Sequence, residues 1–166
     1  MTASNIILVS TAICMALMAG LFYSYTCSVV PGLKMLSNAE YLGAMQSINK
    51  AIQNPIFFLC FFGILLLLPI CTYVHFSTPV TTRFWFILSA AIVYFVGVFS
   101  VTIFGNIPLN NALEKFNLLN ATTESIALQR SLYENKWNTL NTIRTISSFA
   151  SLVLIIFACI NANKNG

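Results

Sequence analysis

Charge is what this chain of 166 residues has least of: eight Lys or Arg and four acids, 7% in all. A soluble domain carries roughly a quarter charged residues, so an ordinary soluble fold is excluded. The formal charge of +4 is spread along the chain without a basic run, and a nucleic-acid partner is therefore not expected. There is one histidine, and the five cysteines all lie in apolar runs without a C-x-x-C pair. That pattern supplies neither a zinc site nor a disulfide framework; the thiols read as small buried hydrophobes. No metal is expected.

Apolar length is what the chain has instead, with 58% hydrophobic residues. A helix needs about 20 apolar residues to span a bilayer. Four stretches meet that need, at about 5–30, 55–75, 84–107 and 137–160. The prediction is an all-α fold, one integral membrane domain over 1–166: a four-helix bundle with two amphipathic helical connections on one side. No Lys or Arg precedes the first run, and the run exceeds a signal-peptide core, so a retained span is expected there. Ala12, Ala16 and Gly20 recur every fourth residue, a small-residue stripe suited to close packing within the chain or in a homo-oligomer. Pro31-Gly32 is read as the end of this span.

Residues 37–53 are too polar to cross, yet Tyr41, Met45, Ile48 and Ile52 follow helical spacing, with Gln46 and Asn49 among the polar positions. They predict an amphipathic helix in the membrane interface or folded under the bundle. Asn54-Pro55 starts the second span, since Pro suits a first helical turn. His75 follows that span and reads either as a haem ligand or as an interfacial residue. The second connection, 109–136, carries an amphipathic start, a cap at Thr122-Thr123-Glu124, and a helical stripe from Ile126 to Trp137.

Two polar stretches stand out. Residues 102–110 read T-I-F-G-N-I-P-L-N, with Thr102 and Asn106 one turn apart and Pro108 expected to end or bend the helix. Residues 137–144 read W-N-T-L-N-T-I-R, and Trp137, Asn141, Arg144, Ser148 and Ser151 form one polar stripe on an apolar helix. Polar groups at membrane depth face a bundle interior or a wet cavity. The two stretches are therefore read as walls of one site. No carboxylate lies within a span, so Arg144 must use Glu114 or Glu134, amides, backbone carbonyls, water or an oxygen-bearing ligand. Four spans put both termini on one side. Lys34, Lys50, Lys115, Arg130 and Lys136 on the connections outweigh Arg83 and Lys164, which places the connections in the cytoplasm. A bacterial inner (plasma) membrane is the expected location.

Taken together, Gly20 with Tyr23 and Pro31, Met45-Gln46 with Ile48-Asn49, Asn54-Pro55, Thr102 with N-I-P-L-N, and Trp137 with Asn141 and Arg144 resemble the anthrone oxygenase-like family of small membrane proteins. The likeness runs in order over nearly the whole chain. It implies a four-helix membrane fold and, in one branch, oxidation of a phenolic anthrone to an anthraquinone with molecular oxygen, without an established metal or flavin. On that reading Arg144 stabilises a substrate anion, and Asn106, Asn110 and Asn141 are oriented donors. Trp137 and Tyr23 stack on a flat ligand, with Thr102, Gln46 and Asn49 as further substrate contacts. No base is evident in the stripe, and proton removal falls to Glu134, Glu114 or water. The alternatives are a non-catalytic module binding a lipid, quinone or haem, an accessory subunit of a larger membrane complex, and a small transporter.

Overall fold

In the computed structural model, which describes residues 2–161, the chain is a helical bundle, and there is no strand among the described residues. Four helices are long and apolar enough to cross a membrane: Ala3–Lys34, Pro55–Val74, Thr82–Glu114 and Thr123–Ile160. We refer to them as the first to fourth spans. The first and third spans each pack on both the second and the fourth. Leu8, Met15, Ile64, Leu68, Ile87 and Ile155 lie in the resulting core, each 2% exposed or less.

The first span is not closed by Pro31. It comprises α1 (Ala3–Ser24), a π turn (Tyr25–Val29) and α2 (Val30–Lys34). The third span likewise runs on past Pro108, through α5 (Thr82–Tyr94), two π segments (Phe95–Ser100 and Thr102–Asn106) and α6 (Ile107–Glu114). α3 (Asn38–Ala51), α4 (Pro55–Val74, the second span) and α7 (Thr123–Ile160, the fourth) are single helices. The two prolines are accommodated in the same way. Val30 N–H reaches back to Tyr25 O, and Ile107 N–H to Thr102 O, each five residues earlier and each just before a proline. A π turn adds a residue to the ring and shifts the carbonyl that the proline ring would otherwise strike. Sequence reading stops at the proline; the helix goes around it.

The caps explain where the helices begin. Asn54 Oδ1 accepts from Phe57 N–H with Pro55 in the first turn, and Thr122 Oγ1 accepts from Ser125 N–H. α3 opens on a reciprocal capping box between Ser37 and Glu40. The fourth helix starts at Thr123, well before Trp137. The expected long polar connection is thus largely an extension of the third and fourth spans.

α3 and the end of the third span lie together at one end of the bundle, as expected. Gln46 Nε2 donates to Leu113 O (2.9 Å) and Phe116 O (3.0 Å), and Lys50 pairs with Glu114 at 3.0 Å. Arg130 reaches back to Leu36 O (2.8 Å), pairs with Glu134 (2.7 Å) and lies 4.4 Å from the Tyr41 ring centroid. This end has its own apolar cluster, including Tyr41, Leu42, Met45, Leu113 and Tyr133. Within the chain the small-residue stripe packs at Ala12 alone: Ala16 and Gly20 are exposed, and nothing lies within 4 Å of a Cβ built on Gly20. Lys164, used in weighing the charges at the two ends, lies outside the described residues.

Candidate functional site

Under α3, between the four spans, lies a cavity of about 290 Å³. Phe57, Phe58, Phe61 and Phe62 of α4 form one wall, and Thr102, Ile103, Asn106, Ile107 and Asn110 of the third span another. Trp137, Asn141 and Arg144 of α7 face them, with Phe22 and Tyr25 of the first span at the side and Asn49 above. The helical periodicity of α7 produces this arrangement. Trp137, Asn141, Arg144, Ser148 and Ser151 are all buried, so the stripe points inward along its whole length.

Arg144 is the centre of the site. It is 7% exposed, and its Nη2 donates to Asn141 Oδ1 at 2.8 Å. Its guanidinium carbon lies 4.6 Å from the Phe22 ring centroid and 5.5 Å from that of Trp137. Among the described residues its Nε has no hydrogen-bond partner, and no carboxylate pairs with it. Glu134 is held by Arg130 and Glu114 by Lys50, so neither acid expected for Arg144 serves it. Neither lines the cavity.

Each asparagine has a different role. Asn141 Nδ2 donates to Thr26 Oγ1 at 3.0 Å, and Thr26 shares a 2.9 Å bond with Thr145, so this amide is fixed at both ends. Asn110 Oδ1 accepts from Trp137 Nε1 (2.8 Å) and Tyr133 OH (3.0 Å), while Asn49 Nδ2 donates to Tyr133 OH (3.3 Å). These bonds set the tilt of the indole at the cavity wall. Asn106, 1% exposed, leaves both amide atoms without a partner among the described residues. Thr102 spends its hydroxyl on Val98 O at 2.7 Å and presents its methyl group.

Three expected residues lie elsewhere. Tyr23 is 63% exposed on the outer face of α1, two residues out of phase with the cavity; Tyr25 takes its place, 5.2 Å from Trp137 between ring centroids. Gln46 is committed to the backbone of the third span and does not line the cavity. His75 caps α4 at the end away from Phe57–Phe62, with Nδ1 2.8 Å from Cys71 O. Thirteen residues of helix separate it from Phe62, about 20 Å, so a haem ligated there would not share this cavity. Burial holds its pKa below the ordinary value. Thr26 was missed by sequence reading, although it follows Phe22 by one turn on the inner face of the first span; its role shows only when α7 brings Asn141 and Thr145 to it.

These features define an integral membrane protein with an internal, aromatic-walled pocket headed by one desolvated guanidinium and an amide without a partner among the described residues. The chain belongs to the anthrone oxygenase family: that family's profile matches residues 57–154, more than half of the sequence. The match holds the second and third spans and α7 as far as Leu154, with Thr102, Asn106, Asn110, Trp137, Asn141 and Arg144 inside it. Gly20, Tyr23, Pro31 and the motifs at 45–55 precede it. No curated protein and no solved structure matches the chain.

Proposed function

We propose that this protein binds a flat, hydrophobic phenolic or quinol-like molecule in the cavity and oxidises it with molecular oxygen, as the family description suggests for anthrones. The observation that carries the reading is Arg144, a buried cation with no acid partner among the described residues, set against phenylalanine walls. A desolvated charge is costly until something of opposite sign meets it. A ligand that becomes an anion supplies that counter-charge.

For an anthrone the anion is the enolate left when the ring methylene loses a proton. A guanidinium already in place favours the enolate over the ketone without reorganising during reaction. Asn141 holds the guanidinium, and Asn106 has both a donor and an acceptor free for a neighbouring hydroxyl. The enolate passes one electron to oxygen; the radical and superoxide then join at the former methylene carbon. Protonation gives a hydroperoxide, and loss of water leaves the new carbonyl. In sum, CH2 and O2 become C=O and H2O, with four electrons passing from carbon to oxygen. The proton leaves to water at the rim, where Gln53 and Asn111 are exposed.

A second reading, a non-catalytic module that stores or presents a quinone or lipid, is favoured by one feature: among the described residues, no Asp, Glu or His lines the cavity. Oxygen uptake separates the two. Protein reconstituted in vesicles with 1,8-dihydroxyanthrone should consume oxygen and form the anthraquinone faster than the anthrone does unaided, and Arg144→Met should remove the excess. No excess with wild-type protein, together with a tightly held quinone, would leave the binding module. In either case we place both termini on one side of the membrane, with α3 and the α6–α7 connection on the other.

A further inference from the structure

The cavity is closed on one side and open on the other, and the sides differ in chemistry. Toward the first and fourth spans, Phe22, Trp137, Asn141 and Arg144 are all buried. Toward the second and third spans, the lining residues Phe58, Phe62 and Ile107 are 38%, 47% and 38% exposed. The same residues thus face the cavity and the outside of the bundle. α4 packs against α5, and past Tyr94 the third span has no comparable packing on α4. Phe61, at the cavity wall, meets Phe99 of the third span at 6.1 Å between ring centroids.

Depth decides what lies outside that opening. α4 has 20 residues, about 30 Å of helix, which is the thickness of a hydrocarbon core. Its ends must therefore lie near the two interfaces. Phe58 and Phe62 are three and seven residues in from Pro55, about 5 and 10 Å below the interface. The opening is bordered by aromatic and aliphatic side chains at a depth where acyl chains are the solvent. The exposed polar residues of the rim, Gln53 and Asn111, lie nearer the helix ends.

We propose that this slot between the second and third spans is a lateral portal, through which a hydrophobic ligand passes between the bilayer core and the cavity. A flat aromatic molecule concentrates in the hydrocarbon and enters edge-on between Phe62 and Ile107. Its oxygen-bearing end then meets Arg144 and Asn106, while the rim at Gln53 and Asn111 serves water and protons. This deepens the proposed function by giving the source of its substrate, and it holds for a binding module as well.

The test needs no knowledge of the natural ligand. A small aryl diazirine dissolved in the bilayer is photolysed with the reconstituted protein, and adducts are mapped by mass spectrometry. Leu17 and Phe149, 59% and 62% exposed, serve as internal controls for lipid-facing labelling and for an intact fold. The portal predicts adducts on Phe22 and Trp137 as well, although both are buried. Phe62→Trp and, separately, Ile107→Trp should cut those inner adducts several-fold with the controls unchanged, and Gln53→Trp should leave them intact. Adducts confined to outward-facing residues would overturn the portal, as would inner labelling that only Gln53→Trp removes. If anthrone-dependent oxygen uptake is absent while Phe22 and Trp137 are labelled through the slot, the oxidase reading fails and the portal stands.

Discussion

Arg144 Nη2 donates to Asn141 Oδ1 at 2.8 Å, one turn back along α7, and no acid pairs with it among the described residues. A structural arginine would be expected to stabilise the bundle. One kept for a ligand should cost stability. An arginine within a spanning helix costs up to about 2.5–3.5 kcal/mol on insertion scales, the figure for the bilayer centre. Arg144→Met should therefore melt no lower than wild type in detergent. Anthrone-dependent oxygen uptake should fall on the order of 10²–10³-fold, the usual effect of losing a preorganised oxyanion donor. A large drop in melting temperature would make the arginine a structural element instead.

Asn141 should behave in the opposite way. Its amide bonds both Arg144 and Thr26, so Asn141→Leu leaves the buried guanidinium without its hydrogen bond at a cost of about 1–3 kcal/mol. Thr26→Val should cost less, because the bond to Arg144 survives. Melting of the two single variants and the double variant should show a coupling energy between the sites. Additive losses would mean that the threonine does not hold the amide.

Asn106 has nothing to lose within the protein. Both of its amide atoms are buried without a partner among the described residues. Asn106→Leu keeps the branch at Cγ, has the cavity to take its extra volume, and removes the cost of burying an amide, so stability should hold or rise by about 1 kcal/mol. Affinity for 1,8-dihydroxyanthraquinone, read by fluorescence quenching in a Trp85→Phe background, should fall about tenfold for one lost hydrogen bond of about 1.4 kcal/mol. An unchanged affinity would take Asn106 out of the site.

The third and fourth spans approach closely at Gly97. A Cβ there would lie 2.5 Å from Ser147 Cβ and overlap its hydroxyl oxygen. Gly97→Ala should destabilise by about 1–3 kcal/mol as overpacking does, and Ser147→Gly should restore much of it. The pair isolates helix spacing from any effect on the cavity chemistry.

At the start of α3, Ser37 Oγ and N–H donate to the Glu40 carboxylate at 2.6 and 3.0 Å, and hold its pKa below the usual 4.5. A depressed carboxylate contributes stability above the unfolded-state pKa and loses it as pH falls through the lower native value. A carboxyl-carbon NMR titration should give Glu40 a lower midpoint than in Ser37→Ala. The first turn of α3 should fray only below about pH 4.5. Equal midpoints in the two proteins would dismiss the cap.

Periodicity and composition carried most of the architecture. A chain with so few charges and four apolar runs has only helices with which to satisfy its backbone in lipid. The seam of α7 was equally legible, because 3.6-residue spacing alone puts Trp137, Asn141, Arg144, Ser148 and Ser151 on one face, and all five are buried. The caps at Asn54 and Thr122 came from local hydrogen bonding that any sequence of that kind makes.

What remained hidden depended on backbone that departs from the regular helix, or on partners far away in sequence. The π turns before Pro31 and Pro108 let both spans continue, while Tyr25 rather than Tyr23 reaches the cavity because it lies three residues after buried Phe22 on the inner face of the first span. Gln46 looked like a ligand contact until the third span supplied two carbonyls for it. Glu114 and Glu134 were equally eligible for Arg144 until Lys50 and Arg130 claimed them. The sequence determined which groups enter the membrane, since that follows from local periodicity and the cost of burying polar atoms. Only the tertiary structure decided which of them find partners and which stay free for a ligand, because that depends on where four helices bring distant residues together.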